Sequence, residues 1–106
     1  MSEDEPLACN EIFGPVVVVE SYSTDDEAFV RVNASRYGLQ VGIFTRDLKR
    51  VFRAYEALQV GGVIVDDVPT FRSDAMPYGG EKDSGVGREG VRYAIEELTS
   101  PRVLVL

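Results

Sequence analysis

The sequence predicts an α/β fold: a β-α-β-α-β unit with a parallel sheet, then a long Gly/Pro-rich loop, a short helix and a C-terminal strand. Three observations carry this. Short β-branched runs alternate with two stretches of helical periodicity. Helices between strands imply crossover connections, which are right-handed and make the strands parallel. Hydrophobic residues make up 44% of 106 positions, in the range of a globular chain. A chain of this size buries roughly 65% of the surface its unfolded form exposes, so a core is within reach.

Residues 1–10 form a polar lead-in. Glu11-Ile12-Phe13-Gly14-Pro15 reads as a turn, punctuated by Gly14 and Pro15. Val16 to Tyr22 is the first expected strand, and its continuous β-branched run points to burial on both faces. Thr24-Asp25-Asp26-Glu27 matches a capping box, with acidic residues where a helix dipole favours them. The helix it opens should run to about Ser35, with Ala28, Phe29 and Val32 inward and Gly38 as a left-handed cap. Gln40 to Phe44 is the second strand. Asp47 opens a second helix to about Leu58, with Leu48, Val51, Phe52, Tyr55 and Leu58 in one apolar stripe. Gly61-Gly62 stops it, and Val63-Ile64-Val65 is the third strand.

After Asp66 the pattern changes. Pro69, Pro77 and a cluster of glycines up to Gly90 make a long irregular loop, and such loops are usually functional. Glu89 to Leu98 can form a last helix, which Pro101 breaks. Arg102 to Leu106 reads as a final strand. No internal repeat and no low-complexity tract is visible.

Lys plus Arg is 11 and Asp plus Glu is 18, giving a net charge of −7. That balance disfavours a nucleic-acid backbone or an anionic membrane as partner. The absence of histidine and the single cysteine exclude a Ser-His-Asp triad, a Cys-His pair and a multi-Cys/His zinc site within the chain. One cysteine cannot form an internal disulfide, so a reducing cytoplasm is the expected location. No purely aliphatic run is longer than that from Val16 to Val19, far short of the ~20 residues a bilayer needs, and the acidic start is unlike a secretory signal.

Several motifs invite chemistry. Gly85-Val86-Gly87-Arg88-Glu89-Gly90 spells G-x-G-x-x-G, but a dinucleotide fingerprint needs a strand directly before it. A structural turn is the better reading. Gly80 and Gly85 have P-loop spacing, yet Val86 stands where the lysine belongs. Cys9 has carboxylates before it and no histidine anywhere, so it reads as an ordinary thiol. Asp66-Asp67 and Glu96-Glu97 can serve acid–base chemistry only if neighbouring side chains converge, and adjacent strand residues point to opposite faces. Glu11 beside Phe13 is more promising. A carboxylate and an aromatic on a rigid Gly-Pro turn can grip two vicinal hydroxyls and flank a flat ring, although acidic residues near turns are common.

Three blocks resemble signatures of the aldehyde dehydrogenase superfamily. They are Glu11-Ile12-Phe13-Gly14-Pro15-Val16; Arg36-Tyr37-Gly38-Leu39 with Val41 to Asp47; and Met76-Pro77-Tyr78-Gly79-Gly80-Glu81-Lys82-Asp83-Ser84-Gly85 continuing to Glu89. They stand in the family's order and spacing, and the resemblance covers about Pro6 to Leu106. It implies the C-terminal part of such an enzyme: residues 11–98 as the end of the catalytic domain and 99–106 as an oligomerisation strand making a homo-oligomer. The family's nucleophilic cysteine, in a Gly-Gln-x-Cys block, lies upstream, as do the general base and the oxyanion-hole asparagine. Cys9 does not sit in that motif, so no catalytic residue is assigned here, and no metal.

The resemblance implies two cofactor-binding residues. Glu11 matches the glutamate that bonds the nicotinamide-ribose hydroxyls, and Phe13 the aromatic at the nicotinamide end. The cofactor is NAD or NADP, and the partner an aldehyde substrate, with no nucleic acid and no membrane. Val68 to Tyr78 would line the aldehyde entrance, with Tyr78 at the usual aromatic position. Arg72 in that loop can steer a hydroxylated or anionic aldehyde, where a bland arginine would sit exposed or bind backbone. In the parent enzyme the aldehyde would form a thiohemiacetal on cysteine and give hydride to the nicotinamide. The fragment alone is expected to be inactive. The alternative is a stand-alone, non-catalytic α/β assembly module, which an upstream Gly-Gln-x-Cys block in the same gene would exclude.

Overall fold

The computed structural model describes residues 10–106. Most of the lead-in, with Cys9, lies outside the described residues. In chain order the elements are α1 (Asp25–Ala34), β1 (Tyr37–Gly38), β2 (Gln40–Ile43), α2 (Leu48–Ala57), β3 (Gly62–Val65), β4 (Glu81–Lys82) and α3 (Val91–Leu98). Among the described residues no helix is long and apolar enough to cross a membrane.

The α/β class is as expected. β2 and β3 pair in parallel, Gln40 opposite Gly62 through Ile43 opposite Val65, with α2 between them in sequence. Phe29 of α1 meets Ala54 of α2 and Leu58, which caps that helix, in the core, with Val32, Val41, Ile43, Val60 and Val63 packed around them. Val41, Ile43 and Val63 share one face of the strand pair because strand side chains alternate. On the other face, Gly42 lies against the Asp67 carbonyl and Pro69, and Gln40 Nε2 donates to the Phe71 carbonyl at 3.1 Å. The start of the loop is therefore pinned to the sheet.

Both helix starts follow the sequence. Thr24 Oγ1 accepts from the Glu27 amide at 3.2 Å, and Asp47 Oδ1 accepts from the Lys49 amide at 2.9 Å. Glu27 reaches back one residue further than a capping box requires and accepts from the Ser23 amide at 2.8 Å.

Five expectations need correction. Val16 to Tyr22 forms no strand among the described residues, because no neighbouring strand offers it a ladder; Val17 and Val19 stand exposed. Arg102 to Leu106 has no ladder partner either. Gly38 is not a left-handed cap: it lies in β1, and a Cβ there would come within 2.6 Å of the Gln59 carbonyl oxygen. The α2 stripe is only partly buried. Ala54 is fully enclosed and Leu58 is buried, whereas Leu48, Phe52 and Tyr55 face outward. Arg50 and Arg53 pair with Asp25 and Asp26 of α1, which turns the Ala54 side of α2 toward the core. The last helix begins at Val91, so Glu89 precedes it.

The long loop is more ordered than its composition suggests. β4 pairs antiparallel with β1, Tyr37 opposite Lys82 and Gly38 opposite Glu81. Tyr78 and Glu89 exchange both main-chain hydrogen bonds, at 3.0 and 2.6 Å, closing the intervening residues into a ring. Ser84 Oγ accepts from the Gly38 amide at 2.8 Å. Arg88 donates to the Gly80 carbonyl at 3.1 Å and pairs with Glu81. Lys82, itself at φ 55°, sends its ammonium to the Asn33 and Ser35 carbonyls, each at 2.9 Å. Those carbonyls close the C-terminal end of α1, where a helix carries orphan acceptors and partial negative charge. Lys82→Met keeps the stem and deletes the donors. It is expected to destabilise by about 1–2 kcal/mol and to speed amide exchange in the last turn of α1, read by hydrogen exchange. Unchanged protection there would refute the capping role.

Candidate functional site

The first group of site residues lies on the turn before Val16. The Gly14 amide donates to the Ile12 carbonyl and the Val16 amide to the Gly14 carbonyl, both at 2.8 Å. Such three-residue closures make a tight, rigid bend. Glu11 is exposed, and no described side chain competes for its carboxylate. Phe13 is 99% exposed, so its ring has no protein cover here. This is a free acceptor pair and a free flat surface two residues apart on a stiff turn.

The second group lies on the loop. The Arg72 guanidinium carbon sits 4.5 Å from the centroid of the Tyr78 ring, a cation–π stack. Arg72 Nη2 also donates to Glu89 Oε2 at 2.6 Å. The main-chain bridge between Tyr78 and Glu89 brings ring and carboxylate to the same guanidinium. Arg72 and Tyr78 are thus brought together. No hydrogen bond, ion pair or ring contact joins Glu11 or Phe13 to them among the described residues.

Glu89 escaped the sequence reading. It is 17 residues from Arg72, outside any local spacing rule, and nothing in the sequence marks its pairing. The other acidic pairs do not converge. Asp66 accepts from the Thr45 amide while Asp67 accepts from the Val68 amide. Glu96 pairs with Arg92, whereas Glu97 lies against Gly87. The glycines of the G-x-G-x-x-G stretch, Gly85, Gly87 and Gly90, all have positive φ, as turns demand. Nearby, the hydrogen bond to Asp83, followed by the Asp83 charge, raises the Arg36 guanidinium further above its ordinary value, and Glu96 does the same for Arg92.

The aldehyde dehydrogenase family profile matches residues 1–104, nearly the whole chain. The chain belongs to the aldehyde dehydrogenase family. It is 47% identical, over all 106 residues, to 3-sulfolactaldehyde dehydrogenase of Priestia aryabhattai, of which it covers 22%. Aldehyde dehydrogenase 21 of Physcomitrella patens, solved with its reaction product succinate, superimposes with a TM-score of 0.93 at 48% identity. That match takes in 99% of this chain and 22% of the moss enzyme. An aldehyde dehydrogenase from Bacillus cereus, solved as its NAD+ complex, gives 0.88 at 37% identity, over 94% of this chain and 20% of that one. The chain spans about a fifth of the length of the aldehyde dehydrogenases it matches.

Proposed function

We propose that this chain is the C-terminal portion of an NAD- or NADP-dependent aldehyde dehydrogenase, contributing cofactor-ribose contacts and a wall of the aldehyde tunnel but not the nucleophile. Residues 11–98 complete the catalytic domain in this reading, and residues 99–106 form a strand for homo-oligomer assembly. The observation that carries it is the Arg72–Tyr78 stack. It sits on a loop clasped to the sheet, within the part of the chain where family membership is shown.

A nicotinamide riboside fits the first group of residues. Its ribose diol offers two O–H donors, and no described residue occupies either oxygen of the Glu11 carboxylate. The exposed Phe13 ring can pack against the nicotinamide end. When bound, the nicotinamide supplies the hydride acceptor. This chain's own residues bind and orient: Glu11 accepts the hydroxyls, Phe13 limits rotation of the ring, and Tyr78 covers the substrate from water. Arg72 would hold an anionic or hydroxylated end of a short aldehyde. The similarity to an enzyme named for sulfolactaldehyde supports that substrate class.

The test is Glu11→Gln in the full-length enzyme. The amide keeps the shape and loses the charge that strengthens these bonds, worth about 1.5–3 kcal/mol. Hydride transfer in a single turnover should slow by roughly 10- to 100-fold, while addition of the cysteine to the aldehyde, which precedes that transfer, proceeds. An unchanged hydride-transfer rate would remove Glu11 from the cofactor site.

A further inference from the structure

We propose that Glu89 is a positioning residue that sets the substrate-charge preference of the tunnel. It holds Arg72 over Tyr78 and offsets part of that arginine's charge, so that uncharged hydroxyaldehydes are accepted alongside anionic ones. The proposal rests on the reading of Arg72 and Tyr78 as tunnel residues.

The geometry separates what Glu89 takes from Arg72 and what it leaves. A guanidinium presents five N–H donors. One, on Nη2, goes to Glu89 Oε2 at 2.6 Å. The guanidinium makes no other hydrogen bond among the described residues, so its remaining donors are open to a carboxylate, sulfonate, phosphate or hydroxyl oxygen. The charge is not open in the same way. An incoming anion meets the cation of Arg72 and, one hydrogen bond further, the like charge of Glu89.

Glu89 is also held in place. Its amide donates to the Tyr78 carbonyl at 2.6 Å and its carbonyl accepts from the Tyr78 amide at 3.0 Å. The carboxylate is thereby fixed relative to the ring on which Arg72 lies, 4.5 Å from the centroid. Farther along the loop, Gln40 pins the Phe71 carbonyl, next to Arg72 in sequence, to the sheet. The Tyr78 ring and the Glu89 carboxylate thus both hold the guanidinium, and its remaining donors are not taken by any described residue. Both side chains are half to two-thirds exposed, so solvent screens the pair and the effect is moderate.

The experiment uses the full-length enzyme and two four-carbon aldehydes, one ending in a carboxylate and one in a hydroxyl. The readout is the ratio of kcat/KM for the anionic to the neutral aldehyde. Glu89→Gln retains an acceptor for Arg72 and removes the charge. It should raise the ratio about 3- to 10-fold, and 0.5 M salt should erase most of that rise. Glu89→Asp should keep the ratio within about twofold of the parent. In an Arg72→Gln background the Glu89→Gln effect should vanish, as coupling through Arg72 requires. Calorimetry with a short dicarboxylate as probe should show tighter binding to Glu89→Gln. If Glu89→Gln yields no folded protein, Glu89→Ser takes its place with the same expectation. An unchanged ratio in the Glu89 variant, with a ratio lowered by Arg72→Gln, overturns this inference and leaves the tunnel reading standing. A ratio indifferent to Arg72→Gln overturns both.

Discussion

Gly61→Ala is expected to destabilise the protein by about 3 kcal/mol or more, at the upper end for a single overpacking change. The added methyl would fall inside the Gly79 carbonyl oxygen, with the Gly79 carbonyl carbon at 2.8 Å and the Leu39 carbonyl oxygen at 2.9 Å. All three are backbone atoms, which cannot swing aside as a side chain can. Each is also tied down. The Gly61 amide donates to the Gly38 carbonyl at 3.0 Å, the Gly62 amide to the Leu39 carbonyl at 3.2 Å, and Gly79 follows the residue bridged to Glu89. Accommodating the methyl means separating the start of β3 from the loop, and with it the Tyr78 platform. Gly14→Ala is the matched control. Nothing lies within 4 Å of a Cβ there, so stability should change by less than about 1 kcal/mol. Thermal denaturation of the two full-length variants side by side measures the difference. Equal melting temperatures would contradict the close approach.

The 106 residues expressed alone are expected to give background turnover with NAD or NADP and short aldehydes, and to self-associate. On the proposed reading, the nucleophile and most of the cofactor site lie on the rest of the enzyme. The packing argument is independent of that. Among the described residues the buried hydrophobic core consists of Phe29, Ala54 and Leu58. The Cα radius of gyration is 17.3 Å, against about 13 Å for a compact domain of this length. Val103, Leu104, Val105 and Leu106 are exposed and offer unpaired main-chain groups to a second chain. The net charge of −7 opposes association, but spread charge is screened beyond roughly 8 Å at physiological salt. Sedimentation equilibrium should show oligomers for the chain and a weaker tendency for a version ending at Pro101. Monomers for both at high micromolar concentration would exclude the strand as an assembly element. Turnover abolished by Cys9→Ala would overturn the inactivity.

What could be read from the sequence is what depends on near neighbours. Thr24 and Asp47 cap helices because their partners are two or three residues away. Gln40–Ile43 and Gly62–Val65 are strands because β-branched residues flank a helical stretch of the right length. The failures share a cause. Val16 to Tyr22 and Arg102 to Leu106 have strand composition, but composition does not supply a neighbouring strand. The glycine-rich loop looked irregular because its order comes from main-chain pairing between Tyr78 and Glu89 and from Lys82 reaching back to α1. Arg72 and Tyr78 entered through the family resemblance. Glu89 did not, since only the folded ring brings it to Arg72.

The reach of Lys82 has a consequence for the order in which the chain assembles. Its two acceptors lie 49 and 47 residues earlier, and they exist as a paired target only once the last turn of α1 has wound. Contacts so distant in sequence form late, because the intervening chain must be closed before they return any energy. The 78–89 ring therefore seats after α1, and its seating reports that α1 is complete. A defect at the far end of α1, such as loss of the Thr24 cap, would surface at Arg72, on a loop it never touches.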